Sequence, residues 1–203
     1  MNDTKPQYHH GSLREALIEN ALAFLKSNSV EDLSSRKLAA TIGVNQTALY
    51  SHFKNKKALL AELAKFGFED LIKQSVLVFE QGKTAEENLS LFAQYYLTFA
   101  IEHPELFKLM FGPLFSELHP ESETLWSTAE ESFLLFQTVV EDYLKSVSSH
   151  TPSKLAVLTV WSFMHGFGHL VIGDRLNEES LAALENGQLL DQLLNVIKSG
   201  LKT

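Results

Sequence analysis

The stretch Leu33-Ser-Ser-Arg-Lys-Leu-Ala-Ala-Thr-Ile-Gly-Val-Asn-Gln-Thr-Ala-Leu-Tyr-Ser-His-Phe53 decides the fold. It predicts two short helices that cross at a tight turn. Ser34 is a suitable cap for the first helix, and Gly43 tolerates the positive φ that the turn needs. Two helices can cross at close range only where the side chain between them is small, and Ala39 supplies that small side chain in the first helix. The apolar side chains fall on the underside of the pair: Leu38, Ile42, Val44, Leu49 and Phe53.

The outer face of the second helix is polar. Its side chains can reach base edges or thymine methyl groups in the major groove of DNA: Gln46, Thr47, Tyr50 and Ser51. Cations able to bind phosphate follow at once: Lys54, Lys56 and Lys57. A plain helical hairpin with a glycine turn is the alternative, but it explains neither the short polar helix nor the lysines beside it. The stretch therefore predicts a helix-turn-helix that binds DNA.

The rest of the chain is helical in pattern, because apolar residues recur at helical spacing and no alternating run indicates a strand. We predict an all-α fold of about nine helices. A three-helix DNA-binding domain occupies residues 1–55, and a larger helical domain for ligand binding and dimerisation occupies residues 56–203. Apart from the third helix, which starts near Asn45, the helices are expected at about 12–26, 34–42, 56–80, 84–103, 104–112, 122–146, 152–172, 178–185 and 188–199.

The charge is divided along the chain. Up to Lys57 there are eight Lys and Arg against five Asp and Glu, a net of +3, although the whole chain carries −8. The remaining residues hold nine basic and twenty acidic side chains, a net of −11. A mildly basic start on an acidic body suits a protein whose first domain meets phosphate.

Several classes of protein are disfavoured. The chain has no cysteine, and its first residues lack the apolar stretch of a signal peptide, so we expect the cytoplasm. We expect no membrane span, because no run of uncharged apolar residues is long enough to cross a bilayer, and no membrane partner is expected. Neither a nucleotide-binding glycine motif nor a His-Glu-x-x-His sequence is present. We therefore expect no enzyme, no catalytic residue and no cofactor beyond a small-molecule effector.

Residues 10–57 resemble the DNA-binding head of the TetR family of bacterial repressors. The resemblance rests on Gly43-Val44, Ala48-Leu49-Tyr50 and His52-Phe53-Lys54-Asn55-Lys56. It implies an obligate homodimer in which each head places the second helix of the motif in the major groove of one half-site of a pseudo-palindromic operator.

The resemblance also implies roles for individual residues. Gln46, Thr47 and Tyr50 would contact base edges or thymine methyl groups. Arg36 would reach a base or a phosphate. Phosphates would be held by Ser35, His52 and Lys56.

Aromatic side chains are frequent in the larger domain. Such residues are more often core than ligand site, but an apolar pocket with a few polar groups is a usual site for a small molecule. We expect a small, largely apolar effector to contact Phe107, Phe111, Trp126, Phe133, Trp161, His165 and His169. The Trp161…His165-Gly166 pattern, with the His103–Phe111 segment, resembles the Trp-His-Gly (WHG) subset of TetR-like regulators.

His165 and His169 share one helix face with Trp161. Two histidines at this spacing can bind a metal or haem iron, so the alternative function is a haem- or metal-responsive DNA-binding sensor. A hydrogen-bonded pair of histidines is the simpler interpretation, and no metal is expected, although Glu102 or His103 could complete a site in space. Gly166 and Gly168 in mid-helix indicate a close helix contact there.

The last two long helices carry more apolar residues than one helix pair can bury, which predicts a four-helix dimer interface. The residues are Leu155, Leu158, Trp161, Leu189, Leu190, Leu193, Leu194, Ile197 and Leu201. The fourth helix joins the two domains. A ligand in the larger domain would favour a state in which this helix swings and changes the separation of the heads.

Overall fold

The structure is a computed structural model that describes residues 10–80, 83–185 and 187–202. These residues form an all-α fold, as predicted, and the described part contains no strand. The helices are α1 His10–Leu25, α2 Ser35–Thr41, α3 Gln46–Tyr50, α4 Lys56–Glu80, α5 Ala85–Glu102, α6 Pro104–Phe111, α7 Phe115–Leu118, α8 Glu123–Ser146, α9 Ser153–Ile172, α10 Glu178–Glu185 and α11 Gln188–Leu201, with a 3₁₀ turn at His119–Glu121.

Helix positions agree with the sequence pattern, and α4 has the bounds predicted for it. The described part contains eleven α-helices rather than about nine. One source of the difference is α7, whose four residues are too few to show a helical period. The first helix also begins at His10, two residues before Ser12.

Local side-chain caps fix several of these helix starts. The Oγ1 atom of Thr84 accepts a hydrogen bond from the Glu87 N–H at 3.3 Å, and the Glu87 carboxylate accepts one from the Thr84 N–H at 2.8 Å. This capping box satisfies two amides that the first turn of α5 would leave unpaired. Because a cap depends on residues three apart, sequence spacing alone predicts it.

The chain forms two compact units. The first unit comprises the described residues of Met1–Gly67 with Glu105–Trp126, and the second those of Phe68–Pro104 with Ser127–Thr203. One boundary between them falls inside α4, whereas the sequence placed the end of the DNA-binding domain at residue 55. Fully buried apolar residues form a core in each unit, Leu17, Ala21, Leu49 and Leu59 in the first and Leu89, Ala93, Leu97 and Tyr143 in the second.

The helix α9 corrects one expectation. It is long and apolar enough to cross a membrane by length and composition, with a mean hydropathy of 1.6 over its best window. The sequence estimate overlooked it because polar residues such as Lys154 and His165 interrupt the apolar run. Only a third of that window is buried. This much exposed apolar surface on α9 calls for a second surface that covers it.

Candidate nucleic-acid interface

The helix-turn-helix has the local geometry that its sequence predicts. Gly43 has a φ of +71°, the left-handed conformation that glycine adopts without strain. Ser34 caps α2 by accepting a hydrogen bond from the Lys37 N–H at 3.1 Å. Asn45 caps α3 by accepting one from the Ala48 N–H at 2.8 Å. These caps and the turn fix the start of α3 relative to the end of α2.

Most of the underside of the motif is buried, and its outer face is exposed. Leu38, Ala39, Leu49 and Phe53 are buried, and Ile42 and Val44 are half-buried. The outward side chains of α3 and its C-cap are exposed: Gln46, Thr47, Tyr50 and Ser51. Tyr50 is 45% exposed, which is unusual for a large aromatic side chain and leaves its ring edge open to a ligand.

Tyr50 links α3 to α2. Its hydroxyl donates a hydrogen bond to the Ser35 Oγ atom at 3.3 Å, and Gln46 Nε2 donates to the Tyr50 hydroxyl at 3.4 Å. The bond with Ser35, and to a lesser extent that with Gln46, lowers the pKa of the Tyr50 phenol. Ser35 itself is buried. The three side chains predicted to contact DNA from these positions therefore form one hydrogen-bonded group.

Some of the cations around the motif are exposed, whereas Lys56 is hydrogen-bonded within the protein. Arg36, Lys37 and Lys54 are exposed. Lys56 donates from Nζ to the carbonyl oxygens of Val30 and Glu31, at 3.2 and 3.4 Å. The Lys56 side chain, which is predicted to hold a phosphate, therefore already connects α4 to the loop before α2.

Acidic residues from the Glu105–Trp126 segment engage the same region. Lys57 Nζ lies 2.8 Å from the Glu117 carboxylate, which raises the pKa of the lysine. Glu121 accepts a hydrogen bond from Asn55 Nδ2 at 3.1 Å. Both acidic partners are distant in sequence. The sequence analysis did not predict them, because it counted the charges up to Lys57 separately from those of the remaining chain.

Glu105 holds the loop between α1 and α2. One of its carboxylate oxygens accepts a hydrogen bond from the Val30 N–H at 3.0 Å, and the other lies 2.7 Å from Lys108 Nζ. In the same unit, Arg14 pairs with Glu62 at 2.7 Å, and its guanidinium lies 5.3 Å from the centre of the Phe53 ring. The helix-turn-helix is thus braced by helices on both sides of it in sequence.

The predicted effector residues divide between the two units. In the second unit, Phe133 packs edge-on against Trp161 at 5.4 Å, and Trp161 lies 6.2 Å from His165, measured between ring centres. The rings of His165 and His169 lie 4.7 Å apart. These four side chains form one continuous group along α8 and α9.

The other three predicted effector residues belong to the first unit. Phe107 is fully buried and packs against Phe111 at 4.9 Å, so it is a core residue there. Trp126 is 50% exposed and stacks on Phe115 at 5.5 Å. Within the second unit, a surface cleft of about 270 Å³ at the α8–α9 connection contains none of the predicted effector residues.

The sequence did not predict the partner of His165. The Tyr96 hydroxyl of α5 lies 3.0 Å from His165 Nδ1, and His165 Nε2 lies 3.2 Å from His169 Nε2. Burial raises the pKa of the Tyr96 phenol and lowers that of His165, with a smaller effect of His169 on the latter. The His165 ring is therefore held at both of its nitrogens, by Tyr96 on one side and His169 on the other.

Comparison with known proteins identifies the family. The model described as "Bacterial regulatory proteins, tetR family" matches residues 17–63, which include the whole helix-turn-helix. A second model, "Tetracyclin repressor-like, C-terminal domain", matches residues 89–196, more than half of the chain. The chain belongs to the TetR family of bacterial regulators. The family is one of DNA-binding regulators and not of enzymes, and the second match includes Trp161, His165 and Gly166.

Individual proteins are similar to this TetR-family chain in sequence or in fold. The nucleoid occlusion factor SlmA of Idiomarina loihiensis is 24% identical over 144 residues, 71% of this chain and 72% of the relative. A Rhodococcus sp. RHA1 structure of unknown function is 26% identical, with a TM-score of 0.80 and coverage of 98% and 100%. The Bacillus subtilis regulator FadR in complex with stearoyl-CoA is 17% identical, with a TM-score of 0.68 and coverage of 93% and 97%.

The close helix contact predicted at Gly166 and Gly168 is not made by Gly166 in this TetR-family structure. Among the described residues, a Cβ atom added to Gly166 would meet nothing within 4 Å, whereas Gly168 is buried. His103 packs its ring on Phe99 at 5.3 Å, and the described residues contain no group of three or more His, Cys, Asp or Glu side chains that could hold a metal ion. Neither Glu102 nor His103 joins the histidine pair as a third ligand.

The histidine pair also has the wrong geometry for a haem held between its two rings. Two axial nitrogens on opposite sides of an iron lie about 4 Å apart and in line with it. The two Nε2 atoms are 3.2 Å apart on one face of one helix. The haem-sensor alternative therefore has no support from these two residues acting together.

Proposed function

We propose that the protein is a homodimeric, cytoplasmic repressor of the TetR family. It binds a pseudo-palindromic operator by placing α3 in the major groove, and a small, largely apolar effector in the C-terminal domain releases it. The observation that carries the proposal is the exposed polar face of α3 above an underside in which Leu38, Leu49 and Phe53 are buried.

Base recognition is assigned to the outward side chains of α3. Gln46 can make a bidentate contact with adenine, and the Thr47 methyl group can contact the methyl group of thymine. Tyr50 adds an aromatic edge, and its bond with Gln46 orients both side chains before DNA binds. A recognition helix needs this combination of reach and order.

Phosphate binding is assigned to the residues that flank α3. Arg36, Lys37 and Lys54 are exposed and carry the charge that a duplex attracts. Ser35, His52 and Lys56 supply shorter contacts at the edges of the motif. Since the whole chain carries −8, binding to DNA of unrelated sequence is expected to be weak.

Dimerisation is supported by the outer surface of α9. Leu155 and Leu158 are 58% and 54% exposed, one helical turn apart on one face. An apolar stripe of this kind is stable in water when a second copy covers it. Fewer residues of α11 are available to the dimer interface than the sequence predicts, because Leu190, Leu194 and Leu201 are buried within the chain.

Effector binding is assigned to the group formed by Phe133, Trp161, His165 and His169 in the second unit. Apolar rings with a few imidazole nitrogens suit a largely apolar molecule that carries a polar end. FadR of Bacillus subtilis, which shares the fold, was solved with stearoyl-CoA. A long-chain acyl-CoA is therefore the first effector to test.

The conformational link is assigned to α4, which begins directly after the helix-turn-helix and continues into the second unit. The effector shifts the equilibrium between two orientations of α4 by its difference in affinity for them. One orientation places the two copies of α3 about 34–36 Å apart, one turn of DNA, and the other does not.

Selection of bound duplexes from random DNA tests the DNA-binding proposal. We expect an inverted repeat whose half-site centres lie about one helical turn apart. The double variant Tyr50→Ala, Lys56→Ala should lose this enrichment while sedimenting as a dimer, and His150→Ala, an exposed residue of the second unit, should keep it. Enrichment of the same repeat by the double variant would contradict the proposal.

The effector is tested separately by titrating the selected operator with the protein in the presence of stearoyl-CoA and of free coenzyme A. Release by the first and not by the second supports an apolar effector. If neither long-chain acyl-CoA nor other apolar ligands change affinity, the switch fails and the DNA-binding proposal remains.

A further inference from the structure

His165 and His169 present two imidazole nitrogens to the same point in space. Both residues lie on α9, four positions apart, and their Nε2 atoms are separated by 3.2 Å. His169 is exposed, and His165 is half-buried beneath it. Within a single chain the pair is therefore open on the His169 side.

This separation matches a chelate around one metal ion. Imidazole nitrogens bind Zn²⁺ at about 2.0–2.1 Å, so two nitrogens 3.2 Å apart subtend about 100° at the ion, between the octahedral and tetrahedral angles. With the ion in both ring planes, the ring centres would lie about 5 Å apart. The observed distance between ring centres is 4.7 Å. The two side chains would need only small adjustments to bind an ion.

Tyr96 supplies the outer partner that metal-binding histidines usually have. Its hydroxyl lies 3.0 Å from His165 Nδ1. When the Nδ1–H donates to the phenolic oxygen, the Nε2 lone pair of the same ring is available to an ion, and the ring cannot rotate away. Tyr96 is buried in the second unit, so this orientation is imposed by the packing of α5 against α9.

We propose that His165 and His169 form a bidentate site for a divalent transition-metal ion, with Tyr96 as the positioning residue. Imidazole donors favour Cu²⁺, Ni²⁺ and Zn²⁺ over Mg²⁺ and Ca²⁺, which take oxygen ligands. Among the described residues no third protein ligand joins the pair, so water or an exogenous ligand completes the coordination. The site shares His165 and His169 with the proposed effector group, and it does not depend on operator binding.

The test uses the full chain without a histidine tag, with His9→Asn and His10→Asn in every sample so that this adjacent pair cannot bind the ion. Calorimetric titration with NiCl₂ alone should give saturable binding of one ion per chain. One equivalent of Cu²⁺ should give an electron paramagnetic resonance spectrum with coupling to two imidazole nitrogens. His169→Ala should abolish both signals, and His150→Ala, also exposed, should keep them.

Tyr96→Phe should weaken Ni²⁺ binding by about tenfold while keeping the two-nitrogen spectrum, as expected of a positioning residue. Because His169 is exposed, its replacement is expected to leave the fold intact, and circular dichroism checks this. Absence of saturable Ni²⁺ binding in the parent chain, or unchanged binding in His169→Ala, would overturn the proposal.

Discussion

The hydroxyl of Tyr50 on α3 lies 3.3 Å from the Oγ atom of Ser35, the first residue of α2. The recognition helix is therefore tied by a side chain to the helix that precedes it, in addition to the turn at Gly43. Since Ser35 and Tyr50 are both assigned to DNA contacts, DNA would meet a group that is ordered before it binds. An ordered group loses less conformational entropy on binding.

Removing the Tyr50 hydroxyl tests this order. Tyr50→Phe keeps the ring but loses the bonds to Ser35 and Gln46. We expect operator affinity to fall by about tenfold, roughly the value of one or two exposed hydrogen bonds, with little change in unfolding temperature. Fluorescence anisotropy with the selected operator measures the affinity. Equal affinity for the variant and the wild type would show that the bonds do not prepare α3 for DNA.

Replacing Gly43 and Gly166 by alanine is expected to change the stability of the protein in opposite directions. Gly43→Ala forces a side chain into a φ of +71° and should destabilise the first unit by about 1–2 kcal/mol. Gly166→Ala lies in α9 with open space around its Cβ position, and should stabilise the protein by about 0.5–1 kcal/mol through helix propensity.

Urea unfolding of both variants measures these changes. Equal effects of the two substitutions would contradict the role of the Gly43 turn. A loss of stability in Gly166→Ala that depends on protein concentration would instead place Gly166 against a second copy.

Glu117 is expected to weaken DNA binding because it pairs with Lys57 at 2.8 Å. Glu117→Gln removes a negative charge beside the motif and releases the lysine for phosphate. Affinity should rise by about two- to fivefold at low salt for operator and unrelated DNA alike, and the gain should shrink as salt increases. Glu178→Gln on α10 is the charge-matched control. A gain of the same size in Glu178→Gln would show that the effect comes from net charge alone and not from release of Lys57.

Lys198 is a buried cation in the second unit, held by Glu86 at 3.0 Å. This pair lowers the pKa of the Glu86 carboxyl, through its hydrogen bond with Lys198. Glu86→Gln leaves the ammonium with weaker partners and should destabilise the protein by about 1–3 kcal/mol. Lys198→Met in the same chain should restore most of that loss, because the charge that needed a partner is gone. A double variant no more stable than Glu86→Gln would contradict this.

How far the sequence predicted the structure depended on the separation of the interacting residues. Ser34, Gly43 and Asn45 act on residues within one helical turn, and the motif they define was predicted in detail. The bond between Glu105 and Val30 joins residues 75 positions apart. No local pattern distinguishes Glu105 from other acidic residues, so its role could not be predicted.

The same limit applies to the histidine pair. The spacing of His165 and His169 placed them on one face, as the structure has them. The partner that orients His165 is Tyr96, which lies 69 residues away on α5. Helix periodicity predicts that Tyr96 is near a buried face but not which residue of α9 it meets. Gly166 is the opposite case, since its mid-helix position predicted a close contact, and no described residue lies within 4 Å of its Cβ position.

The central claim is that α3 determines which DNA sequence the protein binds. The most direct test is selection from random DNA with the wild type and with Gln46→Ala, using Lys54→Ala as the matched phosphate-contact variant. We predict that Gln46→Ala loses preference at one base pair in each half-site, about 1–3 kcal/mol of discrimination, while Lys54→Ala keeps the sequence and only weakens binding. An unchanged preference in Gln46→Ala would contradict the account.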